Sequence, residues 1–415
     1  MKNIRKVFLI LIVGLLSIQI NVFAYEIEEE TDYVWLQQEI INASADSVTE
    51  PTLNSKCAIA IDRDSRAILY GKNENKQVPM ASTTKIMTAV VLLENLGVNN
   101  DLTLDTKVEV CKQAAGIRGS RLGLKLGDKI TINDLLYGLM LCSGNDAATQ
   151  IAVSVSGSIE EFANLMNDKA QELGLQNSHF VTPHGLDEEG HYTTAYELSL
   201  IADYALNIEK FSEIVKTKKY AVNINGYSKI ITNSNELLGY LDGVNGIKTG
   251  FTNGAGRCLV TSVERNGLNI ITVVLGADTK KFRTKDSIKL IEYVYSNYKL
   301  VNLEELINFK FEEWKKINEK RLNIYKSKKD NIDIKLEDYN NKVYPIKKDD
   351  VNNINIEIEN VQTYFEAPIR KESKVADLVL SIGKEKVMDI NIIINERIER
   401  KTMKDYILEC LEKII

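Results

Sequence analysis

Proline is scarce, with five in 415 residues against 23 glycines, and no stretch reads as low complexity. Hydrophobic residues at 44% and charged residues at 27% exclude a collagen-like or fully disordered chain and leave enough length for two to three domains. Cysteine is sparse and odd in number: Cys57, Cys111, Cys142, Cys258 and Cys410. That excludes a disulfide scaffold, and the lack of any C-x-x-C pair removes the usual zinc-knuckle and redox motifs. Buried free thiols are expected, with Cys57–Cys258 as the one candidate pair. Histidine is rarer still: His179, His184 and His191 are all there is. A zinc site is the tempting reading of that cluster, yet H-E-x-x-H is missing and Pro183 breaks helical spacing, so no metal and no cofactor is expected. A net charge of −6 supplies no basic field for nucleic acid.

Long apolar runs are also lacking, apart from one at the start. Lys2, Arg5 and Lys6 precede an apolar stretch over 7–20, followed by Val22-Phe23-Ala24. The stretch is shorter than the roughly 20 residues that span a bilayer, and the trio ending in Ala24 fits a cleavage site. Residues 1–24 read as a signal peptide, so the chain is expected to be exported. Residues 25–54 read as an acidic tail with at most one short helix.

From residue 55 the pattern is that of a folded domain. Runs at 57–61 and 67–70 read as a hairpin, and helical patterns follow at 83–95, 133–154, 158–174 and 194–207. Strand-like runs at 256–263 and 269–275 flank Asn266-Gly267, a strong hairpin turn, and a helix follows at 284–298. Strands at both ends and helices between them predict an α/β (α+β) domain over 55–300, an antiparallel sheet covered by helices. Residues 304–322 are charged and helical at first. Period-two alternation such as Ile354-Asn-Ile356-Glu-Ile358 then predicts a small β-rich domain over 301–395. In 396–415, Met403, Ile407, Leu408, Leu411, Ile414 and Ile415 share one helical face. Two readings stand: a helix in a membrane interface, or one packed on protein.

Three short motifs carry chemistry: Ser82-Thr83-Thr84-Lys85, Ser143-Gly144-Asn145 and Lys248-Thr249-Gly250. Ser82 at a helix start meets unpaired N–H groups that favour developing negative charge. Lys85 lies one turn on, within reach of the hydroxyl. A serine hydroxyl needs a base, and lysine serves only when neutral, through burial or a like charge such as Lys248. Ser143 and Asn145 complete a relay, while Gly250 on a strand edge lets a substrate backbone approach. Taken singly the motifs read as an N-cap, a solvated charge and a turn. Jointly and in this order they match a known catalytic set.

The chain resembles the low-molecular-mass penicillin-binding proteins, serine-type D-alanyl-D-alanine carboxypeptidases. The likeness covers Pro79-Met80-Ala81-Ser82-Thr83-Thr84-Lys85-Ile86-Met87-Thr88, Ser143-Gly144-Asn145-Asp146-Ala147, Pro183-His184-Gly185-Leu186-Asp187 and Gly246-Ile247-Lys248-Thr249-Gly250-Phe251-Thr252. It is close over 55–300 and looser over 301–395, where Phe365-Glu366-Ala367-Pro368-Ile369 contributes. The resemblance implies a serine β-lactamase/transpeptidase-like fold. Ser82 would be acylated by the penultimate D-Ala of a peptidoglycan stem peptide, with Lys85 as base and the N–H groups of Ser82 and Phe251 as oxyanion hole. Lys248, Thr249, Gly250 and Arg283 would bind substrate, Arg283 its carboxylate. His184 would border the site, with a role in deacylation or loop order. β-Lactams would label Ser82, and the export signal would put the enzyme on the wall side of the membrane, with 396–415 as its peripheral anchor on the first of the two readings of that helix.

Rival readings differ in class. A class A β-lactamase needs a Glu between the second and third motifs, where this chain has Pro183-His184-Gly185-Leu186-Asp187. A DD-endopeptidase would share the machinery. A non-catalytic wall-associated scaffold would not need Ser82, Lys85, Asn145 and Lys248 together.

Overall fold

The computed structural model describes residues 34–45, 47–98 and 102–412. The signal-peptide expectation at 1–24 and Ile414 and Ile415 lie outside them. Two compact units divide the chain, one ending at Ser296 and the other beginning at Asn297.

In the first unit, helix α1 spans 34–45. Strands β1 (Cys57–Asp62) and β2 (Ile68–Lys72) follow, then a 3-10 turn at Ala81–Thr84 and α2 (Lys85–Asn95). Next come β3 (Lys107–Glu109), α3 (Lys112–Gly116) and β4 (Lys129–Thr131). Helices α4 (Ile132–Met140), α5 (Asn145–Ser156), α6 (Ile159–Glu172), α7 (Ala195–Leu206) and α8 (Glu209–Lys216) fill the middle. Then come β5 (Lys219–Ile224), β6 (Tyr227–Thr232), β7 (Val244–Thr252), β8 (Gly256–Arg265), β9 (Leu268–Ala277) and α9 (Lys280–Asn297). The main sheet is antiparallel in the order β2-β1-β9-β8-β7, so strands from the two ends of the unit meet at β1–β9. Alternate residues of β1, Cys57, Ile59 and Ile61, join Ile86, Met87 and Val90 of α2 in one core with Leu135 and Leu139 of α4. Ser158 and Thr194 accept the N–H groups of Glu161 and Glu197 at 3.0 Å, capping α6 and α7.

Three features depart from the sequence reading. The single helix expected over 133–154 is two, because Ser143 takes a left-handed φ of 61° and α5 restarts at Asn145. The stretch expected as a surface tail is docked: Leu36 and Ala43 are buried, Glu39 pairs with Lys285, and Ser44 donates to Glu292, both of α9. Its acidic surroundings hid an amphipathic helix. The cysteines are free, as expected, but not all are buried: Cys410 is exposed, and Cys111 and Cys142 are half-buried.

The second unit begins with β10 (Tyr298–Asn302) and α10 (Leu303–Asn318), followed by β11 (Asn323–Tyr325), β12 (Ile334–Leu336), β13 (Val343–Lys347), β14 (Ile354–Glu359), β15 (Tyr364–Glu366), β16 (Lys374–Ile382) and β17 (Glu385–Ile394). Its largest sheet is antiparallel, in the order β12-β17-β16-β14. Ile354, Ile356 and Ile358 pack on a core that also takes Leu303, Ile307 and Phe311 from α10, so a helix stands beside the strands here. Helix α11 (Met403–Glu412) buries no residue. No helix of the described residues is long and apolar enough to cross a membrane.

Candidate active site

Ser82 sits inside the 3-10 turn that leads into α2, half-buried and reachable. Thr83 Oγ1 donates to Met80 O at 2.6 Å and Thr84 Oγ1 to Ala81 O at 2.8 Å, which fixes the turn. Two glycines make room for it. Gly185, at φ +80°, lies so close that a Cβ would fall 1.9 Å from Ala81 O. At Gly250 a Cβ would come within 3.0 Å of the Ser82 nitrogen, so β7 runs tight against the Ser82 turn.

Lys85 is fully buried. Its Nζ lies 2.8 Å from Ser82 Oγ, 2.8 Å from Asn145 Oδ1 and 2.7 Å from His184 O. An amide oxygen and a carbonyl can only accept, whereas a hydroxyl can also donate. An ammonium would donate to all three oxygens, whereas a neutral amine, with two N–H groups and one lone pair, would donate to Asn145 Oδ1 and His184 O and accept from Ser82. Burial, then the charge of Lys248, push the Lys85 pKa well below its usual 10.5. Burial likewise lowers Lys248 to about 7, with Arg283 adding to the effect. Nζ of Lys248 donates to Thr249 O at 2.9 Å.

Asn145 opens α5 and is fixed from behind by donating to Arg118 O at 2.6 Å. Next to it, the buried Asp146 accepts the N–H groups of Leu122, Gly123 and Leu124 at 2.8, 2.7 and 3.0 Å, pinning that loop to the helix start. Ser143 is buried in the same turn, but among the described residues no hydrogen bond joins its hydroxyl to Lys85, Lys248 or Asn145. The relay expected of Ser143 and Asn145 thus has only Asn145 in place.

His184 serves through its backbone. Its carbonyl holds Lys85, while its ring accepts the Leu186 N–H at Nδ1 and is buried, which together with nearby Lys85 lowers its pKa to about 3. A ring held neutral and turned to its own loop orders that loop. His191 Nδ1 accepts the Val181 N–H, leaving Nε2 to donate to Thr84 Oγ1 at 2.8 Å. His179 Nδ1 contacts Gly190 O. Each imidazole is thus spent on a separate local contact.

β7 is the edge of the main sheet and carries Lys248, Thr249, Gly250 and Phe251. Thr249 Oγ1 lies 2.7 Å from Ser234 Oγ. Phe251 is half exposed beneath the Arg257 guanidinium, 3.7 Å from its ring centre. Arg283, in the first turn of α9, is buried, close enough to Lys248 to act on its charge, and paired with Glu236. Two parts of this site escaped the sequence reading. Asp187 accepts from Thr252 Oγ1 at 2.5 Å and from Gly254 N–H at 2.9 Å, tying the His184 loop to the turn after β7. Glu236 is the other. Neither belongs to a spaced motif; Asp187 stood at the end of a recognised string without a role.

A family model described as D-alanyl-D-alanine carboxypeptidase matches residues 44–279, which hold every residue of this site except Arg283. The chain belongs to that family. D-alanyl-D-alanine carboxypeptidase DacF of Bacillus subtilis is 38% identical over 245 residues, 59% of this chain and 63% of that protein. The D-alanyl-D-alanine carboxypeptidase of Streptomyces sp. strain K15 is 35% identical over 268 residues, 61% of this chain and 91% of that one. The chain thus spans just under two thirds of the Bacillus relative. Penicillin binding protein 5 of Haemophilus influenzae superposes with a TM-score of 0.70 at 25% identity, covering 85% of this chain and 100% of the other. The family model lies within the first unit, and the likeness to this solved structure reaches into the second as well.

Proposed function

We propose that this chain is a serine DD-carboxypeptidase that removes the terminal D-alanine from peptidoglycan stem peptides through an acyl-enzyme on Ser82. The observation that carries the reading is the buried Lys85 amine 2.8 Å from Ser82 Oγ, with its other two partners able only to accept. In the first step the Ser82 hydroxyl passes its proton to Lys85 as Oγ attacks the carbonyl of the penultimate D-Ala. The negative oxygen of the tetrahedral intermediate takes hydrogen bonds from the N–H groups of Ser82 and Phe251; one such donor is worth about 3–4 kcal/mol. The C–N bond then breaks, the leaving amine takes the proton from Lys85, and water later releases the acyl group. Lys248, Thr249 and Arg283 hold the carboxylate of the departing residue, Arg283 being suited to a planar anion.

β-Lactams present a carbonyl to the same hydroxyl and form a covalent adduct on Ser82. Export follows from the basic and apolar start of the sequence, and action is on the wall side of the membrane. Peripheral attachment is supported by α11, whose Met403, Ile407, Leu408 and Leu411 stay exposed, unlike a helix packed on protein.

The test is release of D-alanine from a pentapeptide ending in D-Ala-D-Ala, alongside labelling by a fluorescent penicillin. Wild type is expected to do both and Ser82→Ala neither. Equal release by Ser82→Ala would end the reading, and a labelled wild type without D-alanine release would favour action on cross-links.

A further inference from the structure

Arg283 is a buried cation with one carboxylate partner. Its Nη2 donates to Glu236 Oε1 and contacts Thr284 Oγ1 at 3.5 Å. Thr284 Oγ1 donates to the same Glu236 oxygen. Arg283 Nε and Glu236 Oε2 are both buried without a hydrogen bond, a donor and an acceptor left over on the two members of one pair. Arg283 Nη1 makes no hydrogen bond among the described residues, in a side chain that is only 4% exposed. The guanidinium is therefore engaged at Nη2 and has unspent donors at Nη1.

The segment carrying Glu236 is itself built into the substrate edge. Asn233 donates to Val215 O and Thr217 O at 3.2 and 3.1 Å, which anchors the segment to the end of α8. Asn235 donates to Gly246 O at 2.9 Å, and Ser234 Oγ lies 2.7 Å from Thr249 Oγ1, so two consecutive residues clamp β7. Glu236 comes next and reaches α9. Four residues in a row thus set the third motif and the arginine relative to each other.

We propose that Glu236 is a positioning residue for substrate recognition: it grips the Arg283 guanidinium at Nη2 and leaves Nη1 for the terminal carboxylate of the peptide. This rests on the carboxypeptidase reading above. A carboxylate partner held on a turn orients the planar fork before substrate arrives, so less rotamer freedom is lost on binding. Glu236 acts through Arg283 and touches no reacting atom.

The experiment compares kcat and KM for two peptides, one ending in D-Ala-D-Ala and the other in D-Ala-D-alaninamide, which lacks the carboxylate. Glu236→Ala is expected to raise KM for the first by about tenfold, the size of one lost charge-assisted hydrogen bond, with kcat little changed and the amide peptide little affected. Glu236→Asp keeps the charge but shortens the reach and should behave like Ala, while Glu236→Gln keeps the acceptor oxygen and should recover most of the loss. Equal losses on both peptides, a wild-type KM in Glu236→Asp, or tighter binding in Glu236→Ala would each overturn the proposal. Wild type that releases no D-alanine from the first peptide would instead overturn the reading beneath it.

Discussion

The two units spend polar groups differently. In the first, Lys85, Lys248, Arg283, Asp146, Asp286 and Glu197 are buried, each with specific partners or like-charged neighbours. In the second, the buried polar side chains among the described residues are only Ser327 and Asp377, and ion pairs such as Lys326–Glu366 and Lys386–Asp389 stay roughly half exposed. Exposed pairs add little to stability, whereas buried charge is costly unless it is paired or neutralised. The second unit is held by its apolar core, with Ile390 and Ile392 of β17 meeting Leu378 and Ala376 of β16. The first carries a cost in stability where Lys85 and Lys248 are buried, and that burial pushes both lysines toward the neutral form.

The largest expected effect tests that cost. Lys248 has its pKa depressed from 10.5 to about 7 by burial, so as pH falls between those values the unfolded chain takes up a proton that the folded one does not. Stability contributed at this position is full above pH 10.5 and falls as the pH approaches 7. Lys248→Met should therefore raise Tm at pH 7, by about 2–4 °C for each kcal/mol of relief, while D-alanine release drops by about 100-fold or more. Differential scanning calorimetry and the release assay on one preparation check both halves. A lower Tm would mean that Lys248 is a net stabiliser and would remove the contrast between the units.

A smaller effect is expected in the second unit. Leu408→Asp should cut co-sedimentation of the full chain with vesicles of phosphatidylglycerol and phosphatidylethanolamine by about tenfold or more, since one leucine contributes about 1.5–3 kcal/mol when its side chain leaves water. D-alanine release from a soluble peptide should be unchanged. Undiminished vesicle binding would remove α11 from the proposed attachment.

What was legible in the sequence was what is local. Ser82 and Lys85 share one turn, so a three-residue spacing was enough to bring hydroxyl and amine together. Val244–Thr252 displays its chemistry along one strand. Apolar runs at the two ends of the unit implied a sheet built from both, and the structure joins them at β1–β9. What was not legible depends on backbone atoms or on distant partners. The carbonyl that holds Lys85 belongs to a histidine whose ring drew the attention, and backbone oxygens carry no residue identity. Glu236 and Arg283 are 47 residues apart and nothing in their spacing links them. The break inside 133–154 required weighing Ser143-Gly144 as a helix stop against an otherwise continuous apolar stripe. The hairpin β5–β6 was missed although Asn225-Gly226, both at positive φ, is the turn signal that identified β8–β9. Residues 304–322 read as charged and helical at first, and α10 (Leu303–Asn318) stands there.

The central claim is that Lys85 is neutral in the resting enzyme and takes the Ser82 proton. The most direct measurement is the second-order acylation rate of Ser82 by a penicillin across pH, followed by stopped flow and checked by intact mass. The account predicts a rate that climbs with pH through an inflection well below 10.5 and then levels, and that collapses in Lys85→Ala. A rate still rising through the ordinary lysine range, or Lys85→Ala acylating as fast as wild type, would contradict it.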